Sequence, residues 1–229
     1  MRLTYFGHSA CLLEIDQTRL LLDPWLRTNP HGAVDPASVP CDYILVTHAH
    51  DDHLGDTLEL ARLHRATIVA PYELANHLAA QSSAPTLDLM PGGGVTLPWG
   101  RIEMTPALHS SALELPNGEN KAMGLAAGYV IRAADRAVYH AGDTALFTDM
   151  RLIGRHGLDL ALLPIGDFYT MGAQDAVEAL HLLRPRLAIP MHYNSNDRTR
   201  VDPNAFAAEA IRTGHPARVL SPGETIDIA

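Results

Sequence analysis

The chain has 229 residues, 47% hydrophobic and 19% charged, which supplies a sizeable apolar core and fits one large domain better than several. Its formal charge of −9, with Lys121 the lone lysine and no dense basic run, disfavours a partner held through nucleic-acid phosphates. No apolar run approaches the ~20 residues needed to cross a bilayer, and residues 1–7 enter a strand pattern with no leader-like apolar stretch, so a cytoplasmic location is expected.

Residues 2–6, 11–15 and 19–22 read as a meander of three short strands, broken at Gly7-His8-Ser9 and Asp16-Gln17. A Pro-rich loop covers 27–40, followed by a buried-strand run at 43–47. Leu54, Leu58, Ala61 and Leu63 mark a helix over 54–64. A strand at 67–70, a helix at 72–81, and strands at 94–97 and 101–107 about the Pro98-Trp99-Gly100 turn come next. A loop without regular structure is expected from Ser110 to Met123. Beyond it lie a hairpin (125–132, 136–140), a helix at 149–156, a strand at 159–163, a helix at 173–183 and a strand at 187–191. A helix at 204–213 and strands at 217–220 and 225–228 end the chain. Strands interspersed with helices predict mixed sheets covered by helices on their outer faces. No linker divides the sequence, so 1–229 reads as a single domain. Cys11 and Cys41 read as ordinary thiols.

Thirteen histidines are the compositional oddity. Four candidate ligands crowd into THAHDDH (47–53): His48, His50, Asp52 and His53. Positions two apart do not share a helix face, and a straight strand would turn His53 away from the other three. The pattern therefore predicts a tight irregular loop at a strand end, with imidazole and carboxylate donors suited to zinc and similar ions. Three further candidates each follow an apolar strand-like run: His109, Asp143 and His192.

This order of motifs resembles the metallo-β-lactamase superfamily. YFGHSA (5–10), LLLDPW (20–25), YHAGDTALFTDM (139–150), PIGDFYTMG (164–172) and PMHYN (190–194) are similar to its branch of uncharacterised metal-dependent hydrolases related to L-ascorbate-6-phosphate lactonase. The resemblance implies an α+β fold, an αββα sandwich of two mixed sheets packed face to face, with the site at one edge. It also implies two divalent transition ions, zinc first, with manganese, iron or nickel as alternatives. His48, His50 and His109 match the first metal site, Asp52, His53 and His192 the second, and Asp143 the bridging carboxylate.

Two such ions share a water and lower its pKa, giving a hydroxide able to attack a small-molecule ester, lactone, amide or phosphoester. Asp52 is the expected orienter of that nucleophile. His8 is a candidate for substrate binding or proton donation, or else a turn histidine. Asp23 could accept a hydrogen bond from a ligating histidine, or simply precede Pro24 in a turn. Asp167, Tyr169, Tyr193 and Asn194 are candidate pocket residues, His140 a partner of the ligands, and Arg198 and Arg200 either anion-binding or solvated. His31, His64, His77, His156, His181 and His215 read as surface or packing residues. The competing readings are a metal-dependent phosphodiesterase or nuclease, an iron-dependent redox enzyme of the same fold, and a non-catalytic metal-stabilised protein. In the di-iron relatives a Glu commonly stands at the position of His50, which favours hydrolysis. A small-molecule substrate is expected, with no nucleic-acid or membrane partner and a possible homo-oligomer.

Overall fold

The computed structural model describes residues 1–228. Strands β1 (Arg2–Gly7), β2 (Ala10–Ile15) and β3 (Thr18–Leu22) form the antiparallel meander. The sheet then continues in parallel through β4 (Tyr43–Leu45), β5 (Thr67–Pro71) and β6 (Thr86–Leu89). Helices α1 (Asp51–Leu54), α2 (Thr57–His64) and α3 (Tyr72–Gln81) fall between these strands. The second sheet holds β7 (Gly94–Leu97), β8 (Gly100–Pro106), β11 (Ala127–Ala133), β12 (Arg136–His140), β13 (Leu160–Pro164) and β14 (Leu187–Met191), in the order β14-β13-β12-β11-β8-β7. A separate hairpin, β9 (Ala112–Glu114) and β10 (Asn120–Ala122), stands apart from both. Helices α4 (Met150–Ile153), α5 (Ala173–Leu183) and α6 (Pro203–Arg212) cover the second sheet, and β15 (Thr225–Asp227) closes the free edge of β1.

Strand alternation explains the layering. Leu20, Leu22, Leu45 and Val69 turn toward the core shared with the second sheet. Their neighbours Leu21, Ile44, Ile68 and Ala70 turn the other way, onto Leu60 and Ala61 of α2 and Leu74, Ala75 and Leu78 of α3. Each leucine so buried contributes about 1.5–3 kcal/mol. Tyr129 of β11 spans the interior: its hydroxyl donates to the carbonyls of Val46 (2.8 Å) and Val69 (3.2 Å) on the first sheet. The α+β sandwich of two mixed sheets between helices is as expected.

Four local expectations change. Helix 54–64 splits at Gly55-Asp56, so Asp52 and His53 lie on the short helix α1 and His50 caps it. The ligand-rich motif is thus half extended chain and half helical turn. The stretch 110–123 contains the β9–β10 hairpin, whose three-residue strands are too short to show the apolar alternation that marks a strand in sequence. Strand β6 was not expected, because Pro85 and Asp88 interrupt its pattern. Of 217–220 only Ala217 pairs, in an isolated bridge to Ala188.

Direction places the site. In the first sheet β1, β3 and β4 run the same way, and in the second β8, β12, β13 and β14 do. The segments that follow the C-terminal ends of these strands carry every candidate ligand.

Tyr129→Phe is expected to cost about 1–3 kcal/mol, because it strips a buried carbonyl of its donor. Urea unfolding would measure it; a loss within error of zero would mean that the inter-sheet bonds are dispensable.

Candidate metal centre

The local chain is built to hold Asp23. Its backbone is in the left-handed region (φ 43°), and its carboxylate is fully buried. Oδ1 accepts the Thr47 amide (2.8 Å); Oδ2 accepts the Thr47 hydroxyl (2.8 Å) and faces His53 Nδ1 at 2.7 Å. Because the Thr47 hydroxyl donates to Asp23, its oxygen accepts from His48 Nδ1 at 3.0 Å. One carboxylate therefore fixes the protons of two imidazoles on Nδ1 and leaves both Nε2 atoms aimed at the site.

The remaining ligands converge on those two atoms. His48 Nε2 lies 2.9 Å from His50 Nδ1, and His109 Nε2 lies 3.3 Å from the same His50 atom. Asp143 sits between the two halves, Oδ1 at 3.3 Å from His53 Nε2 and Oδ2 at 3.0 Å from His192 Nε2 and 3.7 Å from His109 Nε2. Asp52 Oδ2 is 3.8 Å from His192 Nε2 and 3.1 Å from His8 Nε2. All seven sequence-derived ligand candidates are thus in one cluster, and three overlapping groups within it could each hold an ion: His48/His50/His109, His48/His53/Asp143 and His8/Asp52/His53/His192.

The surroundings hold the cluster in place. Gly142 has φ +60°, and a Cβ there would press on the Ala127 carbonyl at 2.6 Å and on Thr47 at 2.9 Å; only glycine lets Asp143 come this close to the 47–53 segment. His140 donates from Nε2 to the Ser9 carbonyl (2.9 Å) and accepts the Gly142 amide at Nδ1 (3.2 Å), tying the turn that carries His8 to the approach of Asp143. Ser111, on the hairpin's approach, accepts the Ala49 amide. His8 and His192 share the left-handed backbone of Asp23 (φ 55° and 56°), strain of a kind concentrated at functional sites.

Electrostatics follow burial. Burial, then neighbouring His53, hold His48 well below its usual range, and burial with His192 beside it lowers His8 to about 4. Burial alone would lower His53 too, but Asp143, Asp23 and Asp52 outweigh it and raise its pKa well above the ordinary value. Asp143 stays ionised, because His192 and His53 overcome the opposing effect of burial.

The residues fit a metal. His53 Nε2 and Asp143 Oδ1 are buried with no hydrogen-bond partner, although each points at the cluster, and a cation satisfies such atoms. Nitrogen and carboxylate donors with no thiolate suit divalent transition ions.

Beside the cluster, Trp25, Thr28, His50, Asp51, Asp52, Ala112, Glu114 and Asn120 line a cleft of about 430 Å³. A larger one of about 530 Å³ near Arg151 and Arg184 shares none of these residues, so size alone does not locate the site. Of the candidate pocket residues, Tyr193 is buried with its ring 6.1 Å from that of His31. The Asn194 side chain accepts the Val201 amide and braces its own loop. Asp167 is exposed, in the left-handed region, and packs on Gly172. Tyr169 is exposed and bonds Arg198. Sequence reasoning missed Thr47, Ser195 and the neighbourhood of His31. Ser195 Oγ lies 2.6 Å from His8 Nδ1 and 3.0 Å from His31 Nε2, a contact across 164 residues that no local pattern announces.

A family model for the β-lactamase superfamily domain matches residues 18–193. The chain belongs to that superfamily. A UPF0173 metal-dependent hydrolase of Opitutus terrae is 74% identical over 228 residues, covering all of both chains. Among solved structures, Igni18, a metallo hydrolase from the archaeon Ignicoccus hospitalis, is 38% identical with a TM-score of 0.90, covering 98% of this chain and 97% of its own. An isothiocyanate hydrolase from Delia radicum gut bacteria shares the fold at 20% identity and a TM-score of 0.78, covering 99% of this chain and 98% of its own. The protein is a metal-dependent hydrolase of the metallo-β-lactamase fold.

Asp23→Asn is expected to lower metal affinity roughly 10- to 100-fold, since an amide cannot accept at both oxygens from Thr47 and His53. Competition with a chelator would measure it, and unchanged affinity would remove Asp23 from the design. Separately, metal uptake at His53 must displace a proton held there by three carboxylates. Affinity should therefore fall by about tenfold per unit as pH drops from 8 to 6 if one proton is released. Affinity flat over that range would mean that His53 is already neutral.

Proposed function

We propose that this hydrolase uses two divalent transition ions, zinc first and manganese, iron or nickel as alternatives, to open a small-molecule ester, lactone, amide or phosphoester. His48, His50 and His109 would hold one ion, Asp52, His53 and His192 the other, and Asp143 would lie between them. The observation that most supports this is the orientation imposed by Asp23: two buried histidines present their Nε2 atoms to one region, where Asp143 and His192 arrive from two other segments. Bound there, the ions supply Lewis acidity and bring the pKa of a water toward neutrality.

The chain's own groups do the rest. Asp52 is about one-third exposed and borders the cleft, so it can accept a proton from a group arriving by that route. Burial tends to raise its pKa, but His53 and the hydrogen bond from His8 keep it ionised. His8 is neutral near pH 7; with its proton on Nε2 it donates to Asp52 and accepts from Ser195 at Nδ1. That makes His8 an orienting partner of Asp52 in this reading. We take the chain to act as one domain in the cytoplasm, without a nucleic-acid or membrane partner. The acidic charge favours this, and among the described residues no helix is long and apolar enough to cross a membrane.

Zinc- or manganese-loaded protein should hydrolyse at least one member of a panel of lactones, thioesters, phosphodiesters and a β-lactam. A chelator should abolish that activity and added metal restore it. Asp143→Asn should lose about tenfold or more in metal affinity, while His8→Ala keeps its metal and loses rate. Fully loaded protein inert across the panel would overturn the hydrolytic reading; full metal content in Asp143→Asn would overturn the paired site.

A further inference from the structure

We infer that Phe168, Tyr169 and Arg198 form an anchor at the rim of the metal centre for an anionic group, carboxylate or phosphate, carried on an aromatic or short apolar part of the substrate. The inference rests on the hydrolase reading above and adds a substrate class to it.

Two loops that grip the ligands supply the anchor. The first follows β13. At Gly166 a Cβ would run into the His192 carbonyl and come within 3.3 Å of its Nδ1, so this loop lies directly against a ligand. Gly166 and Gly172 pair across its base, and the Met171 amide donates to the carbonyl of Thr144, the residue after Asp143, at 2.9 Å. Pinched there, the loop projects Phe168 and Tyr169, which are 62% and 44% exposed. Adjacent exposed aromatics on a pinned loop beside a reactive centre are not the remainder of a poorly covered core. Leu108, next to His109 and 56% exposed, is tied to the same residue, its amide donating to Thr144 Oγ1 at 3.0 Å.

The second loop follows β14 and His192. Ser195 touches His8, and the Asn196 side chain caps the short turn 197–199 by accepting the Arg198 amide at 2.9 Å. Arg198 then reaches the aromatics. Its guanidinium carbon lies 5.0 Å from the centre of the Phe168 ring, and Nη1 donates to the Tyr169 hydroxyl at 2.9 Å. Among the described residues no carboxylate pairs with it, whereas neighbouring Arg200 is held by Asp197 at 2.7 Å. Arg198 is thus positioned by a ring and a hydroxyl, neither of which neutralises it. Its unused N–H edge can take a carboxylate or phosphate through two parallel bonds. The cleft beside the cluster carries Asp51 and Glu114, which repel an anion, whereas Arg198 offers a cation with no carboxylate partner among the described residues.

The test titrates metal-loaded wild type, Arg198→Gln and Phe168→Ala with 3-phenylpropanoate and with its uncharged counterpart 3-phenylpropan-1-ol, following amide or methyl NMR shifts. Wild type should bind the acid about tenfold more tightly than the alcohol, and Arg198→Gln should erase that ratio with metal content unchanged. Phe168→Ala should weaken both probes. A ratio that survives Arg198→Gln, as it would if the carboxylate bound only the metals, overturns the anchor, and so does wild type that fails to prefer the acid. Neither probe is cleaved, so an inert hydrolysis panel would sink the hydrolase reading without deciding this one.

Discussion

Everything at the metal centre depends on one buried carboxylate. Asp23 has no access to water, and such a group is tolerable only when its lone pairs are filled. Thr47 fills them with an amide and a hydroxyl, and His53 with a ring nitrogen. The consequence extends beyond satisfaction. A histidine whose Nδ1 proton is committed has its Nε2 lone pair committed too, and the Thr47 hydroxyl passes the same constraint to His48. Two ligands from one motif are thus aimed by a residue that lies 24 positions before Thr47, at the end of the neighbouring parallel strand β3.

The sandwich supplies the rest by geometry of direction. Strands that run alike within each sheet deliver their following loops to one edge, so six separate segments, those of His8, Asp23, His48, His109, Asp143 and His192, reach the site without long excursions. Inter-sheet contacts keep the two edges in register. Tyr129 holds the carbonyl just before Thr47 from the opposite sheet, and His140 joins the His8 loop to the approach of Asp143. A one-residue slip of β12 against β11 and β13 would turn its side chains to the opposite face and carry Asp143 away from His53.

The seven candidate ligands were legible because their chemistry is local: imidazoles and carboxylates at strand ends form a pattern that no packing requirement produces. The strands were legible for the same reason, since burial on two faces writes apolar runs such as YILV. What sequence hid were contacts that close over long separations between ordinary residues. Ser195 meets His8 across 187 positions, and nothing in NSNDRTR distinguishes that serine from its polar neighbours. The β9–β10 hairpin was invisible for another reason, its strands of three residues each being too short to display an alternating face. The helical turn under Asp52 and His53 was also hidden, because four residues are too few to express a period.

Charge ties the orienting layer to the chemistry. In the two-ion reading the cations bring +4 to a region where Asp23, Asp52 and Asp143 supply −3. Asp23 touches no proposed ion, so it lowers the total without occupying a coordination position. A carbonyl in its place could orient His53 but would leave the excess positive charge larger and the ring a poorer donor. In that reading the cations would favour negative charge developing on an attacked carbonyl or phosphoryl oxygen. An enzyme with such a centre benefits from recognising the substrate's own anionic group elsewhere, and Arg198, un-neutralised on the adjoining rim, is placed to do so.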